Sequence, residues 1–541
     1  MSSPRAEQVG EKSPLLKMLD EDDDAPAWPV KDANDDAPLS VATKLGFAFG
    51  GPPNQLTHTI VGFQLNFFLL RVVLLQPSAV GTIVLLGRFW DGIMDPTVGT
   101  MTTRTRSRWG SLKPWLGGSI IPLALSYVAI WSVPPWYSYE ARMGFVTAAY
   151  LMYQVCISMY YVPYTALTMH LSKRSADIDS ATLYRMVAET LAVFVAAILT
   201  KVIQPFAKSA EELCDGEHTT KFCVYSSIQL GYMGQNTIVA AICIISGIGV
   251  MFSIGEQKLP PGTAAPPDPV LKGLWTVVRT RSFRYLTIMF LGIWMAVALI
   301  QTNFLLYCEI VLGLEFDEAS DLLLTLLGVC VLSEPFWFFL MVKMGKKPTF
   351  IFSLFLTLPV IVGFFFLNDR TPLWALHLTF AALGVSIAAA YLVPATMIPD
   401  VINEAALRDK GQRREAMFYS YSVFFQKLGA GLAIYASNEI LENVGKYDSL
   451  KADNSQSKDT LRLLTGIVPA LMTVMSICVA FFYPLNTEKE KQIAIDLERL
   501  RASLHGLQTE TPPEKAEDLT TSYYSEEGTG GFAEGGYATD C

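Results

Sequence analysis

The stretch GRFWDGIMDPTVG, residues 87–99, follows an apolar run, TIVLL, at residues 82–86. Arg88, Asp91 and Asp95 fall within two helical turns, after which small and apolar residues resume. A chain that reads as lipid-embedded thus carries two carboxylates and a guanidinium at membrane depth. Asp91 and Asp95 are four apart, so on a helix they share one face, about 5–6 Å from each other. Two ionised carboxylates at that separation repel by ~3 kcal/mol at an effective dielectric of ~20. A monovalent cation, a proton or a basic side chain removes that cost. Ionisable groups inside a membrane are functional by default, so the pair reads as a cation site whose occupancy responds to voltage and pH. The structural alternative is a fixed salt bridge to Arg88 or to a basic residue elsewhere.

The surrounding chain supports the membrane reading. Of 541 residues, 51% are hydrophobic and 17% charged, against roughly 25% charged in a soluble domain. Runs such as VAAICIISGIGVMFSI and FIFSLFLTLPVIVGFFFL reach or approach the ~20 apolar residues that cross a bilayer. No basic stripe, zinc-ligand spacing or phosphate loop occurs, so nucleic acid is not an expected partner. No nucleophile–base or metal constellation argues for an enzyme, and no resident cofactor is expected. Residues 1–40 are polar and acidic, read as disordered, and show no signal peptide.

Twelve spans are expected, at 43–73, 79–102, 113–134, 143–171, 179–205, 231–254, 284–312, 320–343, 348–367, 373–399, 416–443 and 460–483. The Pro- and Gly-rich stretch EQKLPPGTAAPPDPVLKGLW reads as a linker. The domain reading is therefore a six-helix bundle at 41–255, a cytosolic linker at 256–282 and a second six-helix bundle at 283–484. Two halves of six spans form the layout of a major facilitator transporter, an all-α polytopic fold. The loops after spans two, eight and ten are rich in Lys and Arg, whereas LGLEFDEASD between spans seven and eight carries only acids. That asymmetry places both termini in the cytosol. Residues 485–541 hold an amphipathic helix, with Ile493, Leu497, Leu500 and Leu504 on one face, lying on the bundle or the membrane surface, and then a disordered tail. EKSPLL at 11–16 has the form of an acidic dileucine sorting signal, a pattern that also arises by chance. Cys214 and Cys223 share one polar outside loop and either form a disulfide there or stay free.

Other polar residues lie within the spans. Lys427, in YSVFFQKLGAGLAIYA, is a candidate counter-charge for Asp91 and Asp95 when no cation is bound; the alternative is a lysine snorkelling to an interface. Arg185 and Glu189 are four apart and pair with each other, or Arg185 anchors a substrate phosphate or carboxylate. Glu334 precedes Pro335, and Gln301, Thr302 and Asn303 form a polar patch on span seven. Asp400 and Glu404 are expected at the cytosolic rim beside basic residues, with a gate as the sharper alternative. Tyr160, Tyr161 and Tyr164 around Pro163 suit a cavity wall.

GRFWDGIMDPTVG followed by TRSRWGSLKPW strongly resembles the second span and following loop of the glycoside–pentoside–hexuronide cation symporters, the melibiose-permease group of the major facilitators. The resemblance implies that Asp91 and Asp95 bind the coupling cation and that Lys427 sits close by. VPYTALTMHLS, DSATLYRM, TNFLLYC, LVPATMIPDVI and GKKP resemble one animal branch more closely, the sodium-dependent lysophosphatidylcholine symporters. That branch carries lysophospholipids, or in a sister group sphingosine phosphate, across the plasma membrane. Where sugar symporters have acids in the first and fourth spans, this chain has Gln55 and Tyr161, which implies a more apolar cavity suited to an acyl chain. Arg185 matches the arginine near the lipid headgroup. Gln301 stands where the lipid branch has a glutamate, and Met94, between the two aspartates, offers sodium no oxygen. Ser158 matches a hydroxyl ligand of the cation, Na+ or H+. The last outside loop lacks the cysteine that the branch pairs across loops, which leaves Cys214 and Cys223 to pair locally. The expected function is cation-coupled symport of a lysolipid by a monomer in the plasma membrane, or in an endosomal or lysosomal membrane. A sugar–cation symporter and a non-transporting receptor or scaffold are the rivals.

Overall fold

The computed structural model describes residues 39–168, 171, 175–201, 221–254, 270–408, 415–447 and 455–504, apart from 106 and 108. Every regular element among them is helical. The first half comprises α1 (Val41–Ala48), α2 (Pro52–Phe67, continued by a π turn at Phe68–Val72), α3 (Pro77–Arg104), α4 (Lys113–Trp131), α5 (Tyr139–Leu167), α6 (Ser175–Thr200) and α7 (Lys221–Ser253). The second comprises α8 (Val270–Arg279), α9 (Arg281–Ile310), α10 (Phe316–Met344), α11 (Lys346–Phe364), α12 (Leu373–Arg408) and α13 (Glu415–Asn443). It ends with α14 (Ser455–Arg462), a π turn (Leu463–Ile467), α15 (Val468–Phe481) and α16 (Thr487–Leu504).

Local chemistry sets several boundaries. Proline opens α2 and α3 within the first turn, where its missing N–H is no loss. Glu315 and Glu318 form a capping box at the start of α10, satisfying amides that would otherwise be orphaned. Gly345 alone separates α10 from α11. Its φ of 89° lies in the left-handed region that other residues avoid.

Nine helices among the described residues are long and apolar enough to cross a membrane: α4–α7, α9–α12 and the run from Gln456 to Phe481. The three further long segments, α2 with its π turn, α3 and α13, carry the polar residues of the site. The stretch read as a linker contains a helix, α8, which packs against α9 and α13. The sequence gives it away only by the spacing of Val270, Leu274 and Val277. The Ile493–Leu497 face of α16 lies on the bundle rather than on a membrane surface, since α16 packs on α12 and Leu497 is buried.

The halves meet along three seams: α2 on α9, α3 on α13 and α6 on α10. At the end opposite α1 and α16, charged groups tie them together. Arg71 donates to Glu309 at 2.6 Å, Lys201 pairs with Asp321, and the Ser78 amide donates to Glu442 at 2.7 Å. That end is closed.

Candidate functional site: a charged seam between the halves

Helix α3 approaches α13 closely because glycine lines the crossing. A Cβ on Gly431 would lie 3.0 Å from the Arg88 Cβ, so a larger residue there would push the two helices apart. At that spacing the Lys427 ammonium reaches both carboxylates of α3, 2.8 Å from Asp91 Oδ2 and 2.5 Å from Asp95 Oδ2. From α5, the Ser158 hydroxyl contacts the remaining oxygens, 3.1 Å from Asp91 Oδ1 and 2.8 Å from Asp95 Oδ1. The two aspartates, the lysine and the serine singled out in the sequence therefore form one cluster. Its carboxylates belong to the first half and its ammonium to the second. Asp95 is 26% exposed and Asp91 only 7%, so access to the cluster comes from the side where α1 and α16 lie.

Arg88 does not fill the role the sequence allowed it as a fixed partner of the carboxylates. Its Nη1 lies 3.0 Å from His58 Nε2 on α2, and its buried Nε has no hydrogen-bond partner. His58 and Arg88 line a cavity of about 90 Å³ between the halves, together with Trp294, Gln301, Tyr391, Gln426 and Lys427. Gln301 donates to the Tyr391 hydroxyl at 2.9 Å. His58, Trp294, Tyr391 and Gln426 were not singled out from sequence. A histidine in the middle of span one, within NQLTHTIVGF, was the available signal.

The other candidates are placed as follows. Arg185 Nε lies 3.8 Å from Glu189, without a hydrogen bond from that nitrogen. Thr190, one residue on, donates across the seam to Glu334 at 3.2 Å. Tyr161 is half-buried beside this pair, its ring 6.3 Å from that of Tyr164. Gln55 is half-buried on α2, one turn before His58 and Thr59. Tyr164 and Thr302 are not brought to the cavity. Tyr164 is fully buried, donates to the Phe47 carbonyl at 2.8 Å and stacks on Phe47. Thr302 is buried at the α2–α9 seam, where its carbonyl accepts from Asn66 at 3.2 Å. Asp400 pairs with Lys346 at 2.9 Å and Glu404 with Arg408 at 2.5 Å, both within the second half. The pairing of Cys214 and Cys223 falls outside the described residues.

Comparison with known proteins agrees with this architecture. The sequence profile described as "MFS/sugar transport protein" matches residues 46–487. The sphingosine-1-phosphate transporter MFSD2B of Xenopus tropicalis is 34% identical over 86% of this chain and 93% of its own length. The sodium-dependent lysophosphatidylcholine symporter 1-B of Danio rerio is 30% identical over 84% of this chain and 88% of its own. Among solved structures, a bacterial homologue of the human lysosomal transporter Spinster superposes with a TM-score of 0.56. That match covers 84% of this chain and 97% of the other at 12% identity, a likeness of fold. The chain therefore belongs to the MFS/sugar transport protein family and is an all-α membrane transporter of the major facilitator kind.

Proposed function

We propose that the protein is a cation-coupled symporter that moves a lysolipid across the plasma membrane by alternating access. It does so with twelve spans and both termini in the cytosol. One observation carries the reading: Asp91, Asp95 and Ser158 of one half and Lys427 of the other converge on a single point at the seam between the halves. The names of the lipid-transporting relatives support the substrate class, and the words "sodium-dependent" in one of them support Na+ as the coupling ion.

The mechanism follows from charge. A cation reaching the two carboxylates is driven by its gradient and by the membrane potential, ~2.3 kcal/mol per charge per 100 mV. It takes the place of the Lys427 ammonium and so releases one half from the other. With the end opposite the termini closed by the Arg71–Glu309 and Lys201–Asp321 bridges, the state described here faces the cytosol. The lysolipid lies between the halves, its headgroup handled by polar side chains, Arg185, Gln301, Gln55 and Tyr161 among them, and its tail against apolar and aromatic surface.

Uptake of labelled lysophosphatidylcholine into proteoliposomes, with sodium and proton gradients imposed separately, tests the reading. Uptake driven by one gradient and lost in Asp91→Asn and Asp95→Asn is the expected result. Gradient-driven uptake unchanged in both variants refutes the cation site. Competition by glycosides in place of lysolipid establishes a sugar–cation symporter, and absence of any flux establishes a receptor or scaffold.

A further inference from the structure

The segment GKKP, residues 345–348, takes no part in the charged seam. Lys346 pairs with Asp400 of α12, but Lys347 goes elsewhere. It donates to the carbonyls of Phe481 and Tyr483, at 3.1 and 2.7 Å, and so caps the end of α15. From the first turn of α16, the Lys489 ammonium donates to the next carbonyl, that of Pro484, at 3.2 Å. Two ammonium groups thus gather on adjacent carbonyls. Among the described residues neither has a carboxylate within ion-pair distance. Each keeps N–H donors to spare, since an ammonium has three.

Beside these ammonium groups α11 presents an apolar face. Pro348, Ile351, Phe352 and Phe355 stand three and four apart, which puts them on one side of the helix. With Lys347 and Thr487 they line an open cavity of about 540 Å³, within the ~300–1,000 Å³ of small-molecule sites. Phe352 is 45% and Phe355 52% exposed. The edge of Phe355 meets Phe481 of α15, with ring centroids 6.4 Å apart. Every one of these residues belongs to the second half, so the groove lies on the outer surface of that half and away from the seam. α11 is one of the helices long and apolar enough to cross a membrane, and the two lysines stand at its first turn. An apolar groove that runs along a span and ends in two unneutralised cations is complementary to an acyl chain that ends in an anionic headgroup. A zwitterionic headgroup fits less well, because its own cation would stand among the ammonium groups.

We infer that the groove between α11 and the α15–α16 turn is a binding site for an anionic diacyl phospholipid of the surrounding membrane, distinct from the transported substrate. Lys347 and Lys489 hold its phosphate, and Ile351, Phe352 and Phe355 hold the upper part of one acyl chain. With both termini in the cytosol, as proposed above, the lipid comes from the cytosolic leaflet, where anionic lipids attract basic residues. The phosphate bridges a lysine of α11 to a lysine of α16, so the bound lipid pins α16 to the bundle at the end opposite its contact with α12.

The test uses the full chain in mixed micelles that contain phosphatidylserine and phosphatidylcholine with the same acyl chains, and native mass spectrometry counts the lipids retained. The expected result is a preference for phosphatidylserine of about thirtyfold, for two lysines beside one anionic headgroup. Lys489→Gln lowers it to about fivefold, and Lys347→Gln with Lys489→Gln abolishes it. Phe352→Ser with Phe355→Ser weakens retention of both lipids and keeps their ratio. Absence of the preference in the wild type, or a preference unchanged in the double lysine variant, overturns the site. Should loss of the Lys347 cap unfold the chain, the exposed Lys489→Gln decides alone, and an unchanged preference there overturns it too. Displacement of phosphatidylserine by an equal concentration of water-soluble glycerophosphoserine shows an anion site without a seat for the chain and overturns the lipid assignment. Micelles have no sides, so none of these outcomes depends on the proposed orientation or on the identity of the transported substrate.

Discussion

Replacement of Lys427 by alanine separates the two jobs of the cluster, holding a cation and letting it go. The ammonium lies 2.8 Å from one carboxylate and 2.5 Å from the other. Without it, two carboxylates about 5 Å apart repel by ~3 kcal/mol at an effective dielectric of ~20. An incoming cation relieves that repulsion and no longer competes with an ammonium for the same oxygens. Lys427→Ala should therefore bind its cation more tightly by ~3 kcal/mol, roughly a hundredfold. The same change should abolish gradient-driven uptake, because nothing displaces the cation once the gradient is spent. Equilibrium binding of radiolabelled sodium to the purified protein measures the first effect, with proton uptake in weakly buffered solution as its counterpart for H+. Proteoliposome uptake against counterflow measures the second. Cation binding that is weaker than wild type, or unchanged, would show that Lys427 helps to build the site instead of competing for it, and the exchange mechanism would fall.

Two further outcomes follow from the periphery. The Arg71–Glu309 bridge is partly exposed, 22% and 38%, and such pairs contribute up to ~1 kcal/mol. Arg71→Ala combined with Lys201→Ala should shift the closed end towards opening by about tenfold or more, read as faster labelling by an impermeant maleimide of a cysteine placed at Gly62 in a background free of native cysteines. At the opposite end, Glu490 of α16 is buried beside Asp400, and burial first, then that neighbouring carboxylate, push its carboxyl up to about 7, with Lys346 opposing. A raised value in the docked state means that docking is strongest below the ordinary carboxyl value of 4.5, weakens as pH rises from there to about 7, and changes no further above it. Hydrogen exchange across residues 487–504 should therefore speed up between about pH 5 and pH 7 beyond the intrinsic trend (~100-fold), and Glu490→Gln should remove that excess.

The cluster was legible in the sequence because its parts obey local rules. Asp91 and Asp95 are four apart within an otherwise apolar span, and Lys427 lies in the middle of another. What the sequence could not supply was which helix faces which. His58 and Tyr391 are hundreds of residues apart and meet in one cavity only through the α2–α9 and α9–α12 packings. The same gap explains Arg88, whose neighbours along α3 are the carboxylates but whose hydrogen bond runs sideways to α2. Tyr164 and Thr302 lie away from the cavity in this structure, the Tyr164 hydroxyl donating to the Phe47 carbonyl and Thr302 buried at the α2–α9 seam, a placement that spacing along one span does not indicate. Arg71, at the end of the run FFLLR, meets Glu309 of the other half, a pairing that no spacing along the chain indicates.

The distribution of charge between the halves explains why coupling needs no relay. Both carboxylates, the serine and the arginine belong to the first half, and the lysine alone belongs to the second. The cluster is therefore itself a bond between the halves, placed along the packed α3–α13 seam. Replacing an ammonium that is fixed to one half by a free cation keeps the carboxylates neutralised while cutting the tie between the halves. A change confined to a single point thus alters the free energy of rocking directly, by the difference between a tethered and an untethered positive charge. Moving Lys427 to the first half should break coupling even though every charge is retained. The double variant Lys427→Ala with Tyr150→Lys, which returns an ammonium from α5 across Gly87 of α3, should thus leave cation binding close to wild type and gradient-driven uptake lost, whereas restored uptake would show that net charge alone sets the coupling.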